Sequence, residues 1–145
     1  MTSLPNCELC QFAASTVHAN EKFSVILVDD TNYPGFCRVI WRDHVREMSD
    51  LALADRLLLN EAVYEVEQAI RETMAPVKIN VASLGNVVPH LHWHVIPRYT
   101  DDAHFPAPVW AAAVRETDAA VLDARRAMLP HLADAIARRM NRTDK

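Results

Sequence analysis

The apolar positions of this chain follow two rhythms, and the changes between them mark its elements. Residues 23–28 (FSVILV) and 36–41 (FCRVIW) are short, β-branched apolar runs. Between them Asp29-Asp30-Thr31-Asn32-Tyr33-Pro34-Gly35 is dense in turn formers, which predicts a hairpin with a longer loop. From Ser49 the rhythm changes. Leu51, Ala54, Leu58, Ala62, Val66 and Ala69 recur at helical spacing and stop before Pro76, predicting a long amphipathic helix. Ser49 is its expected N-cap, and Asp50 its acidic first turn. Residues 77–83 (VKINVAS) and 91–97 (LHWHVIP) return to period two, with a turn at Leu84-Gly85-Asn86 between them. Residues 100–117, with Pro106 and Pro108, predict irregular chain. Residues 118–140 predict a C-terminal helix, broken or kinked at Pro130. Strands that meet in hairpins and are interrupted by helices indicate an α+β fold on an antiparallel sheet. One domain spanning residues 1–145 is the expectation at this length.

Composition narrows the function. Half of the residues are apolar and 23% charged, as in a globular protein. A net charge of −4 argues against a basic face for nucleic acid polymers. No apolar run approaches the roughly 20 residues of a membrane span, so no membrane partner is expected. The first ten residues show neither the basic nor the apolar stretch of a secretory leader. Three cysteines, an odd number, argue for a reducing compartment, and the cytoplasm is the simplest expectation. Only two glycines are present, Gly35 and Gly85, so neither a G-x-G-x-x-G nor a P-loop can be written. A chain like this binds phosphate with side chains and helix ends or not at all.

Seven histidines offset that shortage, and three stand in Pro89-His90-Leu91-His92-Trp93-His94-Val95-Ile96-Pro97-Arg98. On a strand, His90, His92 and His94 share one face, towards solvent or a cleft, while Leu91, Trp93 and Val95 can pack on a helix. Three readings compete. The histidines decorate an exposed sheet, or they bind a metal, or they line up along an extended anion. Alternate residues of a strand lie about 6.5 Å apart, so three imidazoles from one strand converge badly on a single ion with bonds of about 2 Å. A phosphate chain suits the spacing better.

The pattern H-φ-H-φ-H-φ-φ followed by Pro-Arg resembles the signature of the histidine triad superfamily of nucleotide hydrolases and transferases. The likeness extends to Leu27-Val28-Asp29, to Tyr33-Pro34-Gly35 with its following run, and to the helix from Ser49. It covers about residues 5–99 and leaves 100–145 as a C-terminal extension. The resemblance implies a five-stranded antiparallel sheet, dimerisation through the long helix, and a small nucleotide as substrate. It implies that His92 is the nucleophile, that His94 donates to the phosphate or leaving group, and that His90 completes the triad. Asn80 and Asn86 match positions that contact phosphate oxygens, and Asp29 one that contacts ribose hydroxyls. Asn86 and Asp29 also read as plain turn residues. The implied reaction is cleavage at the α-phosphate of a dinucleoside polyphosphate, such as diadenosine tetraphosphate, through a nucleotidyl-histidine, with no catalytic cofactor. A nucleoside phosphoramidate is the alternative substrate, and a non-catalytic nucleotide-binding module the alternative class. One departure stands out: where many members carry His after Pro-Gly, this chain has Phe36.

Cys7-Glu8-Leu9-Cys10 is a C-x-x-C. A redox pair needs a low-pKa thiolate, which Glu8 disfavours; a structural zinc needs two more ligands. Branches of the superfamily, and the related galactose-1-phosphate uridylyltransferases, pair such a motif with a His after the first hairpin and the first triad His. That resemblance implies a zinc site of Cys7, Cys10, His44 and His90. The alternative is two buried thiols and a surface His44, with Cys37 as packed core. His104, Phe105 and Trp110 are candidates to line a base pocket or a rim. His18 and His131 read as surface residues, and Arg138, Arg139, Arg142 and Lys145 as a solvated basic tail.

Overall fold

The computed structural model describes residues 3–11 and 16–144; Lys145 of the basic tail lies outside them. Five strands form one antiparallel sheet: β1 (Thr16–Ala19), β2 (Phe23–Leu27), β3 (Cys37–Trp41), β4 (Lys78–Ala82) and β5 (His92–Arg98), in the order β1-β2-β3-β5-β4. Helix α1 (Leu53–Met74) joins β3 to β4, and α2 (Ala119–Ala127) and α3 (Leu129–Thr143) close the described chain. The α+β fold with a long helix matches the expectation. β1 is the strand that the periodicity did not reveal: it has four residues, both ends are exposed, and it pairs only with β2.

Period-two geometry gives the sheet two unlike faces. Phe23, Val25, Val39, Trp41 and Val95 fill one face and are buried in the main core. Helix α1 contributes Leu59, Ala62, Val63, Val66, Ala69, Ile70 and Met74 to that core, and α3 contributes Leu132, Ala135, Ile136 and Met140. The C-terminal segment is therefore part of the packing around the sheet. Arg139 reinforces it through Glu65 at 2.8 Å and Glu72 at 3.1 Å, so this residue is a clamp on α1 rather than part of a solvated tail. His18 is likewise no free surface residue, since its ring lies tilted against Phe23 at 5.8 Å and meets Asp144 at 3.0 Å.

The helix start differs from expectation. Ser49 and Asp50 belong to a single 3-10 turn (Met48–Asp50), and Ala52 is the residue before α1. Asp50 spends its carboxylate on the backbone N–H groups of Arg46 and Glu47, and Leu51 is extended, which separates turn from helix. Pro130 behaves as foreseen. It sits in the first turn of α3, where a missing N–H costs nothing, and the helical region divides at Met128. In the first hairpin, Gly35 has φ +95°, and a Cβ there would lie 3.1 Å from Met74 Cε and 3.3 Å from Pro97 Cγ. That loop packs against the core only because Gly35 lacks a side chain.

Candidate functional site

The second face of the sheet carries the chemistry. Register pairing places Ile40 opposite His92 and Arg38 opposite His94. Ser24, Ile26, Ile96 and Arg98 share that face. His90, His92 and His94 are all buried, so the face looks into a cleft and not into open solvent.

His92 Nδ1 lies 2.6 Å from the His90 carbonyl oxygen. A carbonyl only accepts, so Nδ1 carries the proton and Nε2 keeps its lone pair. Burial, and then the charge of Arg38, push the His92 pKa down, which keeps the ring neutral. The His94 ring stands edge-on to His92 at 4.9 Å and to Trp110 at 5.2 Å. Burial is the largest influence on His94; with electrostatic coupling to its neighbours His92 and Arg38 it lowers the pKa to about 4. His94 Nδ1 is buried without a hydrogen-bond partner among the described residues. A cleft of about 480 Å³ opens over both rings, lined also by Glu8, Arg38, Asn86 and Trp110. That volume lies in the usual range for a small-molecule site.

The remaining candidates divide. Asn86 lines the cleft and is exposed. Asn80 lies on the histidine face of β4, opposite Ile96, but its Oδ1 accepts from Arg98 Nη1 at 2.6 Å. Asp29 sits in the exposed loop after β2, outside the lining of the cleft. Of the three aromatic candidates, Trp110 lines the cleft. His104 instead meets Tyr33 Oη at 2.6 Å, and Phe105 donates its backbone N–H to Asp102 at 2.7 Å.

Cys7, Cys10, His44 and His90 converge, their ligand atoms all within 4.8 Å of one another. His90 Nδ1 is 3.4 Å from each sulfur, and His44 Nδ1 is 3.4 Å from Cys10 Sγ. A tetrahedral zinc with its usual bond lengths separates sulfur from nitrogen by about 3.5 Å, so the donor set and its spacing fit that ion. The outer hydrogen bond fits as well. His90 Nε2–H donates to the Trp41 carbonyl at 2.5 Å, leaving Nδ1 as the free lone pair. All three cysteines are unbridged. Cys37 is fully buried core, and burial pushes its pKa up to about 12.

The family model described as HIT domain matches residues 11–101, more than half of the sequence. The chain belongs to the HIT family. HIT proteins form a superfamily of nucleotide-binding hydrolases and transferases, and solved members share this fold. A histidine triad protein from Bradyrhizobium japonicum is 30% identical with a TM-score of 0.66, over 81% of this chain and 89% of that one. One from Marinobacter aquaeolei VT8 is 28% identical with a TM-score of 0.64, over 83% and 89%. A zinc-bound histidine triad family protein from Mycobacterium smegmatis aligns over 92% and 94%, at 22% identity and a TM-score of 0.63. No curated protein matches the sequence.

The structure of this HIT protein adds residues that sequence reasoning passed over. Arg38 is the one charge inside residues 36–41, and that interruption of an apolar strand was the available signal. Asp102 gave none. It is fully buried and accepts from Arg98, from Tyr33 Oη and from the backbone N–H groups of Tyr99, His104 and Phe105. This hub fastens the segment carrying Trp110 to the end of β5.

Proposed function

We propose that this HIT protein is a nucleotidyl hydrolase acting through His92, with a dinucleoside polyphosphate as substrate. The carrying observation is the 2.6 Å bond from His92 Nδ1 to the His90 carbonyl, in a ring that lines the cleft. Nε2 attacks the α-phosphorus, an N–P bond forms, and the P–O bond to the leaving phosphate chain breaks with its electron pair on that oxygen. Nδ1–H leaves the bonded ring cationic, which makes it a good leaving group. Water then attacks phosphorus, the N–P bond breaks, and a nucleoside monophosphate departs with neutral His92 restored. The water proton passes to solvent or product. His94 lies beside the reacting ring, positioned to hydrogen-bond the phosphoryl oxygens.

Cys7, Cys10, His44 and His90 hold a zinc ion in this reading, and a zinc-bound relative with the same fold supports it. The ion supplies structure, fixing the residue whose carbonyl orients His92. A homodimer is part of the proposal. Leu53, Leu57 and Tyr64 form an exposed stripe on α1, and Val81 is exposed on the edge strand β4.

Incubation with diadenosine tetraphosphate followed by rapid acid quench and mass spectrometry tests the reaction. AMP on a peptide containing His92 is expected, and both adduct and turnover vanish in His92→Ala. Turnover that survives that substitution would overturn the mechanism.

A further inference from the structure

Two arginines lie on the histidine face of the sheet, and their surroundings are opposite. Arg98 is saturated. Its guanidinium bonds to Asp102 through Nε and Nη2, to Asn80 through Nη1, and to the Ala107 carbonyl through Nη2. Arg38 has no such shell. Its Nε is buried with no hydrogen-bond partner among the described residues, and no carboxylate reaches it within ion-pair distance there. The acid whose field it feels is Glu8, an exposed residue at the same cleft. A half-buried cation with a buried Nε–H left unfilled costs free energy unless a ligand fills it.

Position says which ligand. Arg38 is directly opposite His94 across the β3–β5 ladder, a separation of about 5 Å between Cβ atoms. It lines the cleft together with His92 and His94. Its guanidinium carbon is 5.9 Å from the centre of the Phe36 ring, the aromatic residue that follows Pro34-Gly35, a cation–π contact. Burial, its largest influence, lowers the Arg38 pKa only from a very high value, and the side chain keeps its charge at neutral pH.

We propose that Arg38 is a phosphate-binding residue of this cleft, holding the leaving phosphate chain and selecting phosphoric anhydrides over substrates with an amine leaving group. The inference rests on the assignment of His92 to the α-phosphorus. A departing phosphate oxygen gains negative charge as its P–O bond breaks, and a fixed guanidinium beside it stabilises that charge. An amine leaves protonated at nitrogen, taking its proton from solvent, so it carries no negative charge and Arg38 gives it nothing. Glu8 competes for the same cation and tempers its pull.

Calorimetric binding in a His92→Ala background, which blocks turnover, reads this directly. With Arg38 present, ATP binds at least tenfold more tightly than AMP, about 1.4 kcal/mol. Arg38→Gln removes that preference by weakening ATP and leaving AMP unchanged, and Arg38→Lys restores part of it. Glu8→Gln strengthens ATP binding and not AMP binding, a second reading should the Arg38 variants fail to fold. Equal losses for both nucleotides in Arg38→Gln, no loss for either, or no ATP preference at the outset would overturn the proposal. So would an unchanged ATP-to-AMP ratio in Glu8→Gln. Because the assay needs no catalysis, a missing His92 adduct in the wild-type protein sinks the hydrolase reading separately.

Discussion

Asp102 shows how much a single side chain can organise. Burial alone would raise its carboxyl pKa, but the Arg98 guanidinium and three backbone N–H groups hold it at about 2, below the ordinary 3.8. A depressed folded-state pKa stabilises the protein above the unfolded value, and that contribution is lost as pH falls from about 4 to about 2. Unfolding in urea at stepped pH should show wild-type stability dropping on the order of 2 kcal/mol across that window. Asp102→Asn should lose about 2 kcal/mol less than wild type across that window and be about 3 kcal/mol less stable at neutral pH, because Arg98 is left buried without its counter-ion. His94 gives a second residue-level prediction. Its NMR titration should have a midpoint of about 4, and a midpoint at the ordinary value of 6.5 would contradict the burial described here. The triad was legible because alternation is written in adjacent positions. Asp102 was not: apart from Tyr33 its partners are Arg98 and the backbone N–H groups of Tyr99, His104 and Phe105, all nearby at the end of β5 and in irregular chain whose path no sequence pattern writes.

At the scale of elements, apolar periodicity located the four longer strands and the helices, and it failed where local chemistry decides. β1 escaped because a four-residue edge strand shows no alternation, and Asn20, whose Oδ1 accepts from the Lys22 and Phe23 N–H groups, builds its turn to β2. Ser49 looked like a cap, but the choice between one turn and a helix depends on where Asp50 directs its carboxylate. The far end of α1 offers a test of the same local physics. Ala75 closes the helix in the left-handed region, at φ +46°, and is exposed. Ala75→Gly should therefore stabilise the protein by about 1 kcal/mol, read as a raised thermal midpoint. At α2, Asp118 accepts the Ala120 N–H at 2.9 Å, and Asp118→Ala should cost about 1 kcal/mol. That helix buries no residue, so hydrogen exchange should find it opening ahead of α3.

The whole molecule is a sheet with a core on one side and a site on the other, and the proposed zinc clip belongs to the second side. Leu9 packs with Ile26 and Ile40, so the N-terminal segment roofs part of the histidine face. Metal analysis should find one zinc per chain, absent in Cys7→Ser. Chelation should lower the thermal midpoint by about 10 °C, the equivalent of roughly 3 kcal/mol at this size, while turnover below the new midpoint persists. Sedimentation equilibrium should return the mass of two chains, and Leu57→Glu combined with Val81→Lys should return the mass of one. Among the described residues no helix is long and apolar enough to cross a membrane. The clip also has a timing. Cys7 and His90 are 83 residues apart, so at the usual pace of synthesis the thiols precede their imidazole by roughly 4 to 17 s. Through that interval Cys7 and Cys10 of a nascent chain lack the His90 imidazole, and the proposed clip is complete only once that residue has been made.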